Sequence, residues 1–306
     1  MVMSCLSLVS LYSRYLRRSF ILAGLSPQTV DVDSETTIHF WGPETESSPT
    51  PKGKPALLLL HGFGPSAVFQ WRHQVQSLTP QFDLYIPDLI FFGGSTTTSK
   101  SSERSEILQV VSMGKLVEKL GLERFSVVGT SYGGFVAYHM ALKWPEKVDK
   151  VVIASSAVSM RKKDKEELLK RAKVEKIEYL MLPTTPGQLR TLIRLSMFKP
   201  PLILPDFLLN GFLHKLLENR EEKIELLKGL TLGQNETTNV SPLQQDVLIV
   251  WGDHDQIFPL EKAFELKELL RRNVRLEVLK NTSHIPQTED PGQFNDVVKK
   301  FLCGSS

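Results

Sequence analysis

Residues 126–135 have the sequence SVVGTSYGGF. It holds the pattern G-x-S-x-G between a strand-like apolar run and a helix-like run. A serine on a sharp strand-to-helix turn presents its Oγ above the end of a sheet. Such a turn is crowded, so Gly129 and Gly133 are expected where a Cβ atom would clash. The stretch predicts that Ser131 is a nucleophile with a helix N-terminus behind it; the alternative is a glycine-rich turn without chemistry.

A nucleophilic serine needs a base, and the base needs a carboxylate that orients it. Two aspartates, Asp253 and Asp255, and then His284 follow Ser131 in the order Ser, Asp, His that accompanies this turn. The aspartates and the histidine come just after two separate apolar runs that are typical of buried strands. Ligands bind at the carboxyl ends of strands in open α/β sheets. The sequence therefore predicts that these side chains meet.

Four further motifs support this interpretation: LLLLHGFG at 57–64, PDLIFFGGS at 87–95, GDHDQIFP at 252–259 and HIPQTEDP at 284–291. In kind and in order, all five motifs resemble those of the α/β-hydrolase superfamily (AB hydrolase-1 type). That superfamily contains esterases, monoacylglycerol lipases, epoxide hydrolases and carbon–carbon bond hydrolases. The resemblance extends from about residue 30 to the C-terminus. More narrowly, the chain resembles a group of plant hydrolase-like proteins, which implies no particular substrate.

The resemblance implies an α/β-hydrolase fold, with a mainly parallel, doubly covered sheet and an inserted helical cap. It implies Ser131 as nucleophile, His284 as base and Asp255 as the acid of a catalytic triad. Asp253 is a rival acid; if Asp255 is the triad member, Asp253 is expected to cap the turn. The backbone N–H groups of Phe63 and Tyr132 are the expected oxyanion donors.

The other residues of these motifs are expected to be structural. We expect His61 to order its loop rather than act as a base, and Asp88 to hold a turn. Phe91 stands where the family usually has a glycine, so this pocket wall is expected to differ. Epoxide hydrolysis is disfavoured, because that branch of the superfamily has Asp at the position of Ser131.

The composition agrees with a globular enzyme. The chain has 306 residues, 41% of them hydrophobic and 23% charged, which is enough for one α/β domain with an insertion. The formal net charge is +3 with mixed signs, so no nucleic-acid partner is expected. Cys5 and Cys303 lie near opposite ends and predict no disulfide framework. Metal-ligand motifs and phosphate loops are absent from the sequence, and no metal or cofactor is expected.

Alternating strand-like and helix-like runs predict a parallel sheet covered on both faces. We expect an N-terminal amphipathic helix within 1–28, a core formed by 29–158 and 242–306, and a helical cap at 159–241. Inside the core we expect an edge hairpin at 29–33 and 36–41 and one helix at 68–78.

The predicted cap contains an apolar run from Met197 to Phe212. Met197, Phe198 and Phe207 are the candidates for lining a substrate pocket. Such a lining favours an apolar acyl or aromatic substrate over a highly charged one. The alternative is that these residues only pack the cap on the sheet.

The N-terminal segment is amphipathic. Between Leu6 and Leu22, a helical wheel places apolar side chains on one broad arc and Arg14, Arg17 and Arg18 on the opposite side. Three interpretations compete: a docked helix, an organelle transit peptide, and a membrane-surface helix that makes peripheral contact with lipid. A spanning helix is not expected, because the arginines interrupt the apolar stretch. We expect a cytoplasmic protein, with a chloroplast, a mitochondrion or a membrane surface as alternatives.

The leading functional hypothesis is hydrolysis of an ester-like bond in a small apolar molecule, through an acyl-enzyme on Ser131. A second is cleavage of a carbon–carbon bond in a diketone-like substrate by the same triad. A third is a ligand receptor that keeps the pocket but turns over slowly. The sequence sets neither the physiological substrate nor the oligomeric state.

Overall fold

A computed structural model describes residues 8–44, 53–99 and 103–304; Cys5 lies outside these ranges. The strands are β1 Leu25–Asp31, β2 Thr36–Pro43, β3 Ala56–Leu60, β4 Asp83–Pro87, β5 Thr96–Thr97, β6 Phe125–Thr130, β7 Val148–Ala154, β8 Asp246–Gly252 and β9 Val274–Leu279. The helices are α1 Leu8–Leu22, α2 Ala67–Trp71, α3 Val75–Leu78, α4 Glu106–Lys119, α5 Tyr132–Lys143, α6 Lys162–Ala172, α7 Ile177–Met181, α8 Pro186–Ser196, α9 Asp206–Leu216, α10 Arg220–Lys228, α11 Glu261–Leu270, α12 Pro286–Glu289 and α13 Pro291–Cys303.

The strands form one sheet in the order β1-β2-β4-β3-β6-β7-β8-β9, with β5 paired to β2. The pairs from β4 through β9 are parallel. The pairs of β2 with β1, β4 and β5 are antiparallel. Parallel neighbours need crossover connections, which helices supply here. The expectation of a mainly parallel sheet is therefore confirmed.

The sheet is apolar on both faces, as a doubly covered sheet requires. In β3, Leu58 and Leu60 belong to the cluster that includes α4, α5 and α11. Leu57 and Leu59 belong to the cluster on the other face, with α1, α2, α3 and α13. All four leucines are fully buried. This alternation explains why β3 is a continuous apolar run in the sequence rather than an alternating one.

The helices α6 to α10 lie between β7 and β8 in the chain and have small apolar clusters of their own. One is built around Leu168, Leu180 and Leu195, and the other around Leu209 and Leu213. We call these five helices the inserted helices. The division of the chain into core and cap at 159 and 241 stays a prediction.

The structure differs from the sequence expectations at two places. The edge hairpin is longer than predicted, because β1 begins at Leu25 and β2 extends to Pro43 with continuous pairing. The helix expected at 68–78 is two short helices, α2 and α3. The buried side chain of Gln74, between them, donates to Gln287 O and to Asn295 Oδ1, at 2.9 Å and 3.1 Å. Such long-range bonds have no local signature in the sequence.

The N-terminal helix α1 is docked on the sheet. Its residues Leu16 and Phe20 are buried, and the Phe20 ring lies 5.1 Å from the ring of Trp41 in β2. Its contacts include α2, α3, α9 and β1. Among the described residues, no helix is both long and apolar enough to cross a bilayer.

Candidate active site

Ser131 stands between β6 and α5 in a strained backbone conformation. Its φ of 51° and ψ of −120° lie outside the regions that L-residues normally adopt. Hydrogen bonds hold it there. Its N–H donates to Ala154 O at 2.9 Å, and its carbonyl accepts from Ser156 Oγ at 2.6 Å and from Gly134 N at 2.9 Å. Neighbouring elements therefore determine the position of Oγ.

The glycines on both sides of Ser131 are required by close backbone approach. A Cβ atom at Gly129 would lie 2.2 Å from Gly133 O, and one at Gly133 would lie 2.3 Å from Leu60 O. Backbone atoms cannot move away as a flexible side chain can. The structure thus supports the predicted reason for the pattern G-x-S-x-G, because any larger residue at Gly129 or Gly133 would clash with the backbone.

Ser131, His284 and Asp255 form one hydrogen-bonded chain. His284 Nε2 lies 2.9 Å from Ser131 Oγ, and His284 Nδ1 lies 2.9 Å from Asp255 Oδ2. The other carboxylate oxygen, Oδ1, accepts from the N–H groups of Ile257 and Phe258 at 2.8 Å and 2.9 Å. A carboxylate only accepts, so Nδ1 carries the imidazole proton and Nε2 is free to accept the serine proton.

The rival carboxylate, Asp253, lies away from the histidine. Its Oδ1 accepts from Thr282 N at 3.4 Å, and its oxygens lie 3.7 Å from His254 Nε2 and 3.9 Å from Lys280 Nζ. These contacts join the loops after β8 and β9. The structure thus brings Asp255 and not Asp253 to His284, which is the geometry that a triad with Asp255 requires.

The expected oxyanion donors lie beside Ser131. Tyr132 is the first residue of α5, and N–H groups in the first turn of a helix have no acceptor within it. Phe63 lies in the loop after β3, with its ring 5.8 Å from that of Tyr132. Within the described part of the chain, neither amide donates to a protein oxygen. Both N–H groups are thus available to a ligand.

The loop that contains Phe63 is held by Gln70, which the sequence did not reveal. Gln70 Oε1 accepts from Gly62 N at 2.8 Å, and Gln70 Nε2 donates to Gly62 O at 2.9 Å. The sequence gives no sign that Gln70 has this role, because its two hydrogen bonds to Gly62 form only after the loop has folded back onto α2.

His61 orders this loop, as expected. Its Nδ1 donates to Gly62 O at 2.7 Å, and its Nε2 accepts from Leu89 N at 2.9 Å. The ring is fully buried, and burial lowers its pKa below the usual value. A neutral histidine with both nitrogens engaged is unavailable as a base.

Asp88 is structural, as expected. It accepts from Ala67 N at 2.8 Å, from Gly94 N at 3.0 Å and from His39 Nδ1 at 2.9 Å. Burial acts to raise its pKa, but the hydrogen bonds from His39 and from Ala67 N hold that pKa below the usual value. Phe91, at the position of the family's glycine, has φ 72° and so keeps the backbone conformation that glycine adopts easily.

A cavity of ≈ 330 Å³ opens beside Ser131 and His284. The core contributes Phe63, Phe69 and Gln70, and α1 contributes Tyr12. The apolar side chains of the inserted helices that line it are Met181, Leu189, Leu192, Ile193, Phe212 and Leu216, and Met197, directly after α8, lines it too. A smaller cavity of ≈ 60 Å³ lies on another side of Ser131, against Tyr132, Phe135 and Phe258. The space around the serine is therefore largely apolar.

Of the three pocket candidates, only Met197 lines the large cavity. Phe198 does not: its ring stacks on His254 with the centroids 4.3 Å apart. The prediction that Phe207 lines the pocket is also wrong, since its side chain is 65% exposed and is not part of the cavity lining. Helix α9 turns Leu209 toward the interior, and residues two apart on a helix point in nearly opposite directions. An apolar run alone does not show which side of a helix faces a cavity.

Glu289 links the histidine loop to the inserted helices, and the sequence did not single it out. Its Oε2 accepts from Ser283 N at 2.6 Å and its Oε1 from Phe198 N at 2.7 Å. Next to it, His284 N donates to Ser196 O at 3.1 Å. Burial raises the pKa of Glu289 above its usual value. The loop that carries His284 is therefore tied directly to the C-terminal end of α8.

Across the described residues, no group of His, Cys, Asp or Glu side chains is arranged to hold a metal ion. The polar groups around Ser131 are those of proton transfer and oxyanion binding. They can activate a hydroxyl nucleophile and stabilise a developing oxyanion.

A family model described as alpha/beta hydrolase fold matches residues 55–193. The chain is similar to a 2-hydroxy-6-oxononadienedioate/2-hydroxy-6-oxononatrienedioate hydrolase of Escherichia coli, with 25% identity covering 82% of this chain and 88% of the relative. It is also similar to epoxide hydrolase 3 of Xenopus tropicalis, with 27% identity covering 82% of this chain and 72% of the relative.

Among solved structures, the chain is similar to a candidate lipase from Acinetobacter baumannii. The TM-score is 0.81 with 24% identity, and the match covers 96% of each chain. This likeness concerns the fold, and it confirms the α/β architecture that the motifs imply.

Proposed function

We propose that this chain, a hydrolase with the α/β-hydrolase fold, cleaves an ester-like bond in a small apolar molecule through an acyl-enzyme on Ser131. The observation that carries the proposal is the hydrogen-bonded chain from Ser131 Oγ through His284 to Asp255, with both distances at 2.9 Å. The cavity beside Ser131 and His284 has a largely apolar lining, which suits an apolar acyl or aromatic group.

The proposed reaction begins when Ser131 Oγ attacks the carbonyl carbon and its proton passes to His284 Nε2. The oxyanion accepts hydrogen bonds from the N–H groups of Phe63 and Tyr132. His284 then returns the proton to the leaving alcohol as the carbon–oxygen bond breaks. Water attacks the acyl-enzyme with His284 again as base. Throughout, Asp255 holds the imidazole and stabilises its charged form.

The test is a series of p-nitrophenyl esters of increasing acyl length, together with a fluorophosphonate probe for activated serines. We expect probe labelling and steady turnover in the wild-type protein, and neither in Ser131→Ala. Absence of labelling in the wild-type protein would contradict the assigned nucleophile. Labelling without turnover of any ester would contradict the proposed reaction and favour either a ligand receptor with slow turnover or another reaction of the same triad.

A second candidate is hydrolysis of a carbon–carbon bond by the same residues. What favours it is the Escherichia coli relative, whose name describes a hydrolase of a 2-hydroxy-6-oxo dienedioate. The two candidates separate in one comparison of an aryl ester with a vinylogous diketone as substrates. Turnover of the diketone with no turnover of any ester would replace the first candidate by the second.

A further inference from the structure

Helix α1 presents a row of apolar side chains to solvent in addition to its docked side. Leu16 and Phe20 face the protein. At 3.6 residues per turn, a second set falls within an arc of about 100° next to the docked side. We call this set the apolar stripe; its members are the exposed residues Leu8, Leu11, Tyr12, Tyr15 and Leu22. Tyr15 is 66% exposed.

The arginines of α1 lie on the remaining side of the helix. Arg14, Arg17 and Arg18 are all exposed and occupy a neighbouring arc of about 100°, which we call the basic arc. The first acidic residue in the sequence is Asp31, so the helix itself offers them no partner. The ion pairs among the described residues do not include these three arginines. Within the described part of the chain, the positive charge of this surface therefore has no ion-pair partner.

The apolar stripe borders the active-site cavity. Tyr12 belongs to the stripe and also lines the cavity that contains Ser131. Its ring lies 6.3 Å from that of Tyr15 and 6.2 Å from that of Phe69, which lines the cavity too. A surface that covers the stripe therefore lies beside one wall of the cavity.

We propose that α1 is an interfacial helix that docks this protein on an anionic lipid surface, with the apolar stripe in the acyl boundary and the basic arc among the phosphates. A soluble helix normally hides its apolar side and exposes its polar side. This one exposes both, in adjacent arcs, which is the arrangement that a helix lying in a membrane interface uses. Uncompensated arginines complement anionic headgroups and select lipid over a neutral apolar partner.

Docking in this orientation places the wall formed by Tyr12 close to the lipid. An apolar substrate dissolved in the bilayer then reaches the cavity along the stripe without crossing bulk water. The docking itself does not depend on the reaction, so it can be tested whether or not the proposed function is correct.

The test is flotation of the full chain with vesicles of phosphatidylcholine alone or mixed in equal parts with phosphatidylglycerol. We expect binding to the mixed vesicles that weakens with added salt. Leu11→Gln combined with Tyr15→Gln should weaken binding at least about 10-fold, since two apolar side chains leave the acyl boundary. Arg14→Gln combined with Arg17→Gln should weaken it about 25-fold, because each arginine near an anionic surface contributes about 5-fold.

The matched control is Ile21→Gln, which changes an exposed apolar residue of the same helix that lies within the basic arc. It should bind vesicles nearly as the wild-type protein does. The altered positions are exposed, so all variants should keep the wild-type melting temperature and labelling by a small serine probe.

Absence of vesicle binding in the wild-type protein overturns the proposal. Binding that is equal for all variants overturns it as well, because the contact then lies elsewhere. The wild-type protein could also form a dimer that Leu11→Gln combined with Tyr15→Gln dissociates, and show no affinity for vesicles. That result would overturn the proposal and assign the apolar stripe to contact with a second copy of the chain.

Discussion

His284 Nε2 lies 2.9 Å from Ser131 Oγ, although 153 positions separate the two residues in the chain. The contact forms because β6 and β9 both end at the same edge of a parallel sheet. Two independent loops must therefore be held in place for one hydrogen bond. The strained turn holds Ser131, and the bonds to Asp255 and Ser196 hold His284.

Ser131→Ala should lower the turnover of p-nitrophenyl esters by roughly 10⁴-fold or more, because the covalent route is lost. The matched control is Ser126→Ala, at the opposite end of the same strand region, which should keep wild-type turnover. Thermal unfolding should show both variants folded. Near-normal turnover in Ser131→Ala would mean that another group is the nucleophile.

Asp255→Asn should reduce kcat by about 10⁴-fold, since an amide no longer holds the proton on His284 Nδ1. Asp253→Asn is the control, because Asp253 lies two residues away and contacts Thr282 and Lys280 instead. It should change kcat by less than about 10-fold. The measurement is the steady-state kcat of both variants on one ester. Equal decreases of kcat in the two variants would contradict the assignment of Asp255.

Phe212→Ala should shift the relative kcat/KM among acyl chain lengths by about 10-fold, because Phe212 lines the cavity. Phe207→Ala removes an equal ring from the same helix at an exposed position and should leave the preference unchanged. The measurement is kcat/KM for a series of esters. If all esters lost the same factor in Phe212→Ala while the melting temperature fell, the ring would have only a packing role.

Lys223→Met should remove a pH-dependent part of stability. Burial lowers the pKa of Lys223 to about 8, although Glu218, Asp88 and Glu222 oppose the shift. The ammonium donates to Leu216 O at 3.1 Å. Above about pH 8 the folded protein has released this proton and the unfolded chain still holds it. Stability from this group is therefore fully present above the unfolded pKa of lysine and is lost as pH falls from there to about 8.

Urea unfolding measures this effect directly. Above about pH 8, the wild-type free energy of unfolding should gain about 1.4 kcal/mol per pH unit relative to Lys223→Met. Lys228→Met replaces an exposed lysine of the same helix and should follow the wild-type pH dependence. A constant difference between wild type and Lys223→Met at all pH values would show that the lysine keeps an ordinary pKa.

Gly133→Ala should prevent correct folding or lower the melting temperature sharply, because its Cβ would meet Leu60 O at 2.3 Å. Gly187→Ala is the control: it lies in α8, where the nearest atom to a new Cβ is 4.0 Å away. There alanine should stabilise the protein by up to about 1 kcal/mol, through helix propensity. Comparable melting temperatures for the two variants would refute the close approach at Ser131.

Most of the fold and the identity of the central residues could be predicted from the sequence. The alternation of strand-like and helix-like runs predicted the mainly parallel, doubly covered sheet that the structure shows. Ser131, Asp255 and His284 stand in short motifs whose glycines, prolines and chain order have local physical causes. A motif carries this information because a tight turn restricts which residues fit it.

The remaining features depend on which side of an element faces its neighbours. Phe198 and Phe207 looked equivalent to Met197 in the sequence, yet only Met197 reaches the cavity. Glu289 acts through a bond to Phe198, 91 positions away, and the bonds of Gln70 to Gly62 exist only once the loop after β3 has folded back. Helix α1 has two apolar sides with different surroundings. Local patterns determine that a segment forms an element and which turns it makes. The orientation of that element depends on packing between distant residues, so it is decided only when the whole chain has folded.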